Sequence, residues 1–322
     1  MWFWYVRNGK RCAASSAVIQ RSGPYQMVSD SMSASGWRAW PRPRRLRIVG
    51  LIAWIVAVTL AFILPLIELV QQTSQSEMNS YIPLVPFVAG YLLYLRRKTL
   101  PTAFRSSIAG SVVLGGAGAL ALVAAREWGG ALSVNDGQAL MALAYVSAIT
   151  AGGFLFLGAK WMAAAAFPIA FLFFMIPLPD AVVYQLEMSS VYASADASAW
   201  MFRATGTPLL RDGTIFALPG IVIRVAQECS GIHSSWVLFI TSLVASHLFL
   251  NSPWRRLVLV AFVIPLAIIR NSFRILVIGL LCVHVGPHMI DSFIHHQGGP
   301  IFFGLSLVPL FLLMVMLRRH ER

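Results

Sequence analysis

The chain has 322 residues, of which 58% are hydrophobic and 11% are charged, and its mean hydropathy is +0.72. A soluble domain carries about 25% charged residues, so this composition excludes a soluble enzyme, a disordered protein and a secreted disulfide scaffold. Its three cysteines, Cys12, Cys229 and Cys282, are too few for a disulfide framework. A helical protein that crosses the membrane several times remains.

Residues 1–47 differ from the rest of the chain, because they hold nine of the 25 basic residues and one acid, Asp30. No apolar run in this stretch has the length of a signal-peptide core. We interpret 1–47 as a flexible basic cytoplasmic tail, within which Met32 offers an alternative start. A net charge of +13 also suggests nucleic-acid binding, but basic residues placed directly before an apolar run are typical of a membrane topology signal. No nucleic-acid partner is expected.

Eight apolar runs follow the tail. A helix needs about 20 residues to cross a bilayer, and apolar runs of that length are helices because their backbone polar groups must be satisfied internally. The sequence therefore predicts an all-α membrane bundle of about eight helices within residues 48–322. The predicted spans are 48–70, 81–95, 106–125, 138–158, 161–179, 230–250, 257–283 and 299–317.

The charges between the spans predict an orientation. If the N-terminus is cytoplasmic, eight spans place both termini inside, and 19 of the 25 lysines and arginines fall in cytoplasmic segments. This excess follows the positive-inside rule. We therefore expect a multi-pass protein of the inner or plasma membrane, with the lipid bilayer as its surroundings and both termini in the cytoplasm.

The longest stretch between predicted spans, residues 180–228, would then be extracytoplasmic. Its first part, 180–206, mixes apolar and small polar residues at helical spacing, which predicts an interfacial or partly embedded helix. The turn signal Asp212-Gly213 lies between two short β-prone runs and predicts a small hairpin. Together these elements predict a small extracytoplasmic cap over the membrane helices.

Three polar groups at the outer face are candidate functional residues, since ionisable residues at the edge of a bilayer are costly. The first is Cys229, at the start of a predicted helix, where the helix dipole lowers the pKa of a thiol. The second is the RNSFR segment (270–274), in which Asn271 and Arg274 share a helix face. A guanidinium beside a thiolate could stabilise a developing oxyanion.

The third group is the loop 284–299, which holds four of the seven histidines. Histidine is the natural acid or base near neutral pH. A metal site is the rival interpretation, but no HExxH motif occurs and only Asp291 could extend the ligand set. No metal and no cofactor are predicted. A cysteine, an arginine and a histidine that meet at one membrane surface predict covalent thiol catalysis.

These segments, in this order, resemble the exosortase/archaeosortase family. The resemblance covers roughly residues 160–305, and the combination of CSG, N-x-x-R and a later His-x-x-x-Gly makes it specific. The segments that carry it are FPIAFLFFMIPLPD (167–180), TGTPLLRDGTIFALPG (205–220), VAQECSGIHSS (225–235), IIRNSFRI (268–275) and HHQGGPIFF (295–303).

The resemblance implies a multispanning cysteine transpeptidase or protease with sortase-like chemistry on an unrelated fold. Its partners would be exported proteins that end in a short motif such as Pro-Glu-Pro, a transmembrane helix and a basic tail. It implies that Cys229 is the nucleophile, Arg274 the family arginine and His295 the family histidine. Asn271 matches the motif asparagine and would have a structural role.

Two histidines compete with His295 for the acid–base role. His296 is adjacent to it, and His233 lies four residues after Cys229 on the same helix face. The segment HHQGG also lacks the acidic residue that often follows the family histidine, a role that Asp291 could take. The alternative to an enzyme is a transporter, or a polymer export or assembly factor in which Cys229 is incidental.

Overall fold

The computed structural model describes residues 41–75, 77–225, 231–291 and 298–321, and these are helical apart from one small sheet. Short 3-10 turns occupy Glu77–Asn79, Ile82–Leu84, Phe173–Met175 and Pro287–Asp291. The helices and strands are α1 (Arg42–Ala61), α2 (Ile63–Gln75), α3 (Val85–Arg96), α4 (Ile108–Glu127), α5 (Val134–Phe156), α6 (Ala159–Ala164), α7 (Ala166–Leu172), α8 (Asp180–Ala204), β1 (Leu210–Asp212), β2 (Ile215–Leu218), β3 (Ile221–Arg224), α9 (Ile232–Phe249), α10 (Pro253–Ala261), α11 (Val263–His284) and α12 (Gly299–Arg319).

Within the described residues, five helical stretches are long and apolar enough to cross a membrane, namely α4, α5, α9, α10 with α11, and α12. Two bent pairs raise the number to seven if each is one span: α1 with α2, bent by 67°, and Ala166–Met175 with α8, bent by 93°. The predicted count of about eight is not confirmed. The predicted span 81–95 corresponds to α3, whose 12 residues extend only about 18 Å.

Proline explains why three apolar runs are broken. Pro65, Pro168 and Pro265 are each the third residue of a helix, α2, α7 and α11 respectively. In each case the residue four positions earlier is the last residue of the preceding helix. A proline lacks an N–H, and its ring clashes with the carbonyl four residues back. Each apolar run that contains one of these prolines therefore forms two helices.

Strands β1, β2 and β3 form an antiparallel meander, with Leu210 opposite Ala217 and Phe216 opposite Ile223. The hairpin predicted at Asp212-Gly213 is confirmed, and Gly213 has a φ of +56°. The third strand was not predicted. Phe216 points to the inner side of the sheet, where it is fully buried and lies against Phe202 of α8, with 6.1 Å between ring centroids.

Three apolar cores hold the described helices together. One joins α2, α3, α5 and α7, a second joins α8, the sheet and the later part of α11, and a third joins α9, α10, the first part of α11 and α12. Helix α11 belongs to two of these cores, through Leu266 in the third and Ile275 in the second. Residues 270–274 therefore lie where the two cores meet.

Candidate active site

Three of the predicted site residues, Cys229, His295 and His296, lie outside the described residues, as does the side chain of Asp291. The backbone of Asp291 ends a 3-10 turn. The site can therefore be built from the residues on either side of these positions, and from α8 and α11.

Gly231 is the described residue that follows the cysteine segment, and it precedes the first turn of α9. Its φ of +65° lies in the left-handed region, where a side chain is strained and glycine is favoured. Its carbonyl accepts hydrogen bonds from Ser235 N (3.0 Å), Ser235 Oγ (2.7 Å) and Ser234 Oγ (3.1 Å). The chain therefore enters α9 at one fixed point, two residues after Cys229.

Arg270 of α11 holds that same point. Its Nη2 donates to the Gly231 carbonyl at 2.9 Å and to Ser235 Oγ at 2.9 Å. The residue is only 7% exposed. A Cβ atom added at Gly231 would lie 3.2 Å from Arg270 Nη2 and 3.1 Å from Asn271 Oδ1. The start of α9 is thus packed directly against the RNSFR segment.

The next two residues of α11 contact α8. Asn271 Nδ2 donates to Ser194 Oγ at 3.0 Å, and Ser272 Oγ donates to the Ser194 carbonyl at 3.0 Å. All three residues are buried, Asn271 at 3% exposure. Polar side chains that satisfy each other between helices stabilise a specific packing in an apolar bundle. This arrangement agrees with a structural role for Asn271.

Arg274 and His233 are both half-buried near these contacts. Arg274 lies one turn beyond Arg270 on α11, about 6 Å along the helix axis, and so on the same face. His233 is in the first turn of α9.

The RNSFR segment also touches the start of α12. The ring centroids of Phe273 on α11 and Phe302 on α12 are 6.3 Å apart, in an edge-to-face arrangement. Phe302 lies in the first turn of α12, which begins at Gly299. Residues 270–274 therefore contact the helix that follows each of the two undescribed segments, 226–230 and 292–297.

The sequence did not predict a role for Arg270. The sequence did contain a signal, namely two arginines four residues apart in one apolar helix. Extension of a side chain to the membrane surface can explain one of these arginines but not both. Which of the two would be buried depended on the helix that packs against them.

The described residues contain no group of three or more His, Cys, Asp or Glu side chains that could hold a metal ion. Cys282, which lies further along α11, is buried and not in a disulfide. The described residues bring together Arg270, Asn271 and Gly231, the glycine two residues after Cys229 in the sequence.

A comparison with protein families bears on this arrangement. The family model described as transmembrane exosortase (Exosortase_EpsH) matches residues 70–312, a range that includes both the cysteine segment and the RNSFR segment. No match was found among curated proteins or among solved structures. The family and the apolar helices together make this a multi-pass membrane protein. The chain belongs to the transmembrane exosortase family.

Proposed function

We propose that the protein is a membrane-embedded cysteine transpeptidase or protease. It cleaves the C-terminal sorting signal of exported proteins, a signal of the Pro-Glu-Pro type followed by a transmembrane helix and a basic tail. The acyl part is held as a thioacyl-enzyme and is then transferred or released. Family membership supports this proposal.

The observation that carries it is the contact between Arg270 and the Gly231 carbonyl, at 2.9 Å. It joins Gly231, which is two residues after Cys229 in the sequence, to the helix that carries Arg274. The Phe273–Phe302 contact similarly joins the start of α12 to that helix. We propose that Cys229, Arg274 and His295 meet at this point, since a nucleophile, a cation and a histidine together satisfy the needs of acyl transfer.

In the proposed reaction, the Cys229 thiolate attacks the scissile carbonyl and forms a C–S bond. Arg274 stabilises the oxyanion of the tetrahedral intermediate. When the intermediate collapses, the C–N bond breaks and His295 gives a proton to the leaving amine. An acceptor amine or water then attacks the thioester, His295 takes its proton, and the C–S bond breaks to return the thiolate.

We further propose that this site faces the extracytoplasmic side, with both termini in the cytoplasm. The 19 basic residues in the predicted inner segments support this orientation. The sheet and α8 pack on the later part of α11, beyond the RNSFR segment. Segment 180–228 would therefore lie outside, above the site that receives the polypeptide.

The test is Cys229→Ala in cells that express an exported protein with such a signal. Loss of the nucleophile should lower processing by about a thousandfold or more, so that unprocessed substrate accumulates. The matched control is Cys282→Ala, because that thiol is buried in the same bundle and should not be required. Undiminished processing by Cys229→Ala would favour the alternative of a polymer export or assembly factor.

The acid–base assignment has its own test. His295→Ala should abolish processing, whereas His233→Ala and His296→Ala should retain most of it. If only His233→Ala loses activity, the acid–base residue is His233, in the first turn of α9, and not His295.

A further inference from the structure

Arg270 is buried in a way that its position in an apolar helix does not explain. An arginine in a membrane helix usually extends its guanidinium to the aqueous interface. Arg270 is instead 7% exposed, and Nη2 donates to two protein groups, the Gly231 carbonyl and Ser235 Oγ, each at 2.9 Å. Burying a charged side chain is costly in free energy. We therefore expect the hydrogen bonds of Arg270 to have a role that an apolar side chain could not fill.

The acceptor of this contact is a backbone atom at a position that favours glycine. Gly231 has a left-handed φ of +65°, and its carbonyl already accepts from Ser235 N at 3.0 Å, the first hydrogen bond of α9. The hydrogen bond from Arg270 is therefore additional to those of the helix. It orients the peptide unit at which α9 starts. The preceding backbone, which leads back to Cys229, departs from that unit.

The geometry requires an arginine. One Nη2 atom bonds a carbonyl and a hydroxyl together, and the planar guanidinium keeps both bonds in fixed directions. A lysine would retain the charge but would lose the fixed fork. Arg274 is half-buried one turn away on the same face, so the two arginines of the RNSFR segment differ in burial.

We propose that Arg270 is a positioning residue that fixes the peptide unit of Gly231 and so sets the placement of Cys229. Arg274 keeps the role proposed for it at the reacting group. This inference rests on the proposed function of Cys229, and it adds a second arginine to the site, acting through the backbone and not through the substrate.

The experiment uses the full-length protein with Cys12→Ala and Cys282→Ala, so that Cys229 is the single thiol. Arg270→Gln, Arg270→Lys and Arg274→Gln are compared in that background. Two quantities are measured: processing of a protein with a sorting signal, and the rate of Cys229 alkylation by iodoacetamide as a function of pH. Cys229→Ala is the separate test of the proposed function.

Arg270→Gln should lower processing at least tenfold and move the alkylation profile to higher pH. The reason is that Gly231, two residues after Cys229 in the sequence, loses its guanidinium partner, and a positive charge that favours a thiolate is removed. Arg270→Lys should keep the alkylation profile close to that of the parent, yet process about tenfold more slowly. Arg274→Gln should abolish processing. Ser235→Ala, which removes one acceptor of Arg270 without altering the cation, should lower processing by roughly twofold to fivefold.

The proposal is overturned if Arg270→Gln retains both the parental processing rate and the parental alkylation profile. It is also overturned if Arg270→Lys restores processing fully, because the fork would then be unnecessary. If Arg270→Gln does not accumulate in the membrane, Ser235→Ala becomes the test of the proposal. Processing at the parental rate by Ser235→Ala would then contradict the proposal. If processing survives in Cys229→Ala, the proposed function itself fails, whatever the arginine variants do.

Discussion

The two ends of α9 are each held by an arginine that donates to a backbone carbonyl, but in different surroundings. At the N-terminal end, Arg270 Nη2 bonds the Gly231 carbonyl at 2.9 Å from within the bundle. At the C-terminal end, Arg256 Nε bonds the Leu250 carbonyl at 2.8 Å. Next to it, the carboxylate of Glu321 accepts from Ser252 N at 2.8 Å.

The two ends differ in the burial of the arginine. At the Leu250 end Arg256 is half-buried and the neighbouring Asn251 is exposed, so water can replace a lost partner there and each contact contributes little. At the Gly231 end Arg270 is only 7% exposed, and a guanidinium that loses its partner there is poorly rescued by solvent. We expect substitutions at the Gly231 end to have large effects, and those at the Leu250 end small ones.

The largest effect is expected for Gly231→Ala. The left-handed φ of +65° costs an L-residue about 1–2 kcal/mol, and the new Cβ would lie 3.1 Å from Asn271 Oδ1. We expect processing to fall at least tenfold while the protein still inserts, as measured by substrate cleavage and membrane content. The matched control is Gly116→Ala in α4, where nothing lies within 4 Å of an added Cβ. Equal losses in both variants would contradict a special role for Gly231.

A smaller effect is expected for the contact between α8 and α11. Asn271→Leu removes the amide that donates to Ser194 Oγ at 3.0 Å. In a double-mutant cycle with Ser194→Ala, the coupling free energy should be about 0.6 kcal/mol, the usual size for interhelical hydrogen bonds in membrane proteins. Denaturant unfolding in mild detergent measures it. A coupling energy of zero would mean that Asn271 does not stabilise the packing of α8 on α11.

The elements that local sequence determines were predicted well. The spans that became α4, α5, α9 and α12 follow from apolar runs of sufficient length, and the hairpin follows from Asp212-Gly213. Three of the helix breaks were missed, although Pro65, Pro168 and Pro265 stand in the sequence at those breaks. The described residues give five candidate spans, or seven with the two bent pairs, so the predicted count of about eight is not confirmed.

The candidate site depended on contacts that no local pattern specifies. Arg270 and Gly231 are 39 residues apart in the chain, and their contact depends on how α11 is rotated against α9. From sequence, the N-x-x-R motif selects Arg274 through the family resemblance and leaves Arg270 without a role of its own. Only the packing shows that Arg270 is the buried arginine and that it contacts Gly231.

The smallest effect is expected at the C-terminal end of α9, for Glu321→Gln. Its carboxylate accepts hydrogen bonds from the backbone N–H groups of Asn251 and Ser252, and these bonds lower the pKa of Glu321 below its ordinary value. A carboxylate with a lowered pKa stabilises the folded state above its unfolded pKa of about 4.3, and this contribution is lost as pH falls through the folded pKa. At pH 7 the parent should therefore unfold at a slightly higher temperature than Glu321→Gln.

The two thermal midpoints should converge as the pH is lowered from 5 to 3, since the parent carboxyl then becomes neutral like the amide. Glu68→Gln is the matched control, because Glu68 shows no such backbone contacts in the described structure. A difference between Glu321→Gln and parent that stays constant across this range would mean that the charge does not stabilise the turn after α9. If Glu321→Gln lowered the thermal midpoint at pH 7 as much as Gly231→Ala does, the two ends of α9 would not differ in the way that the burial of their arginines predicts.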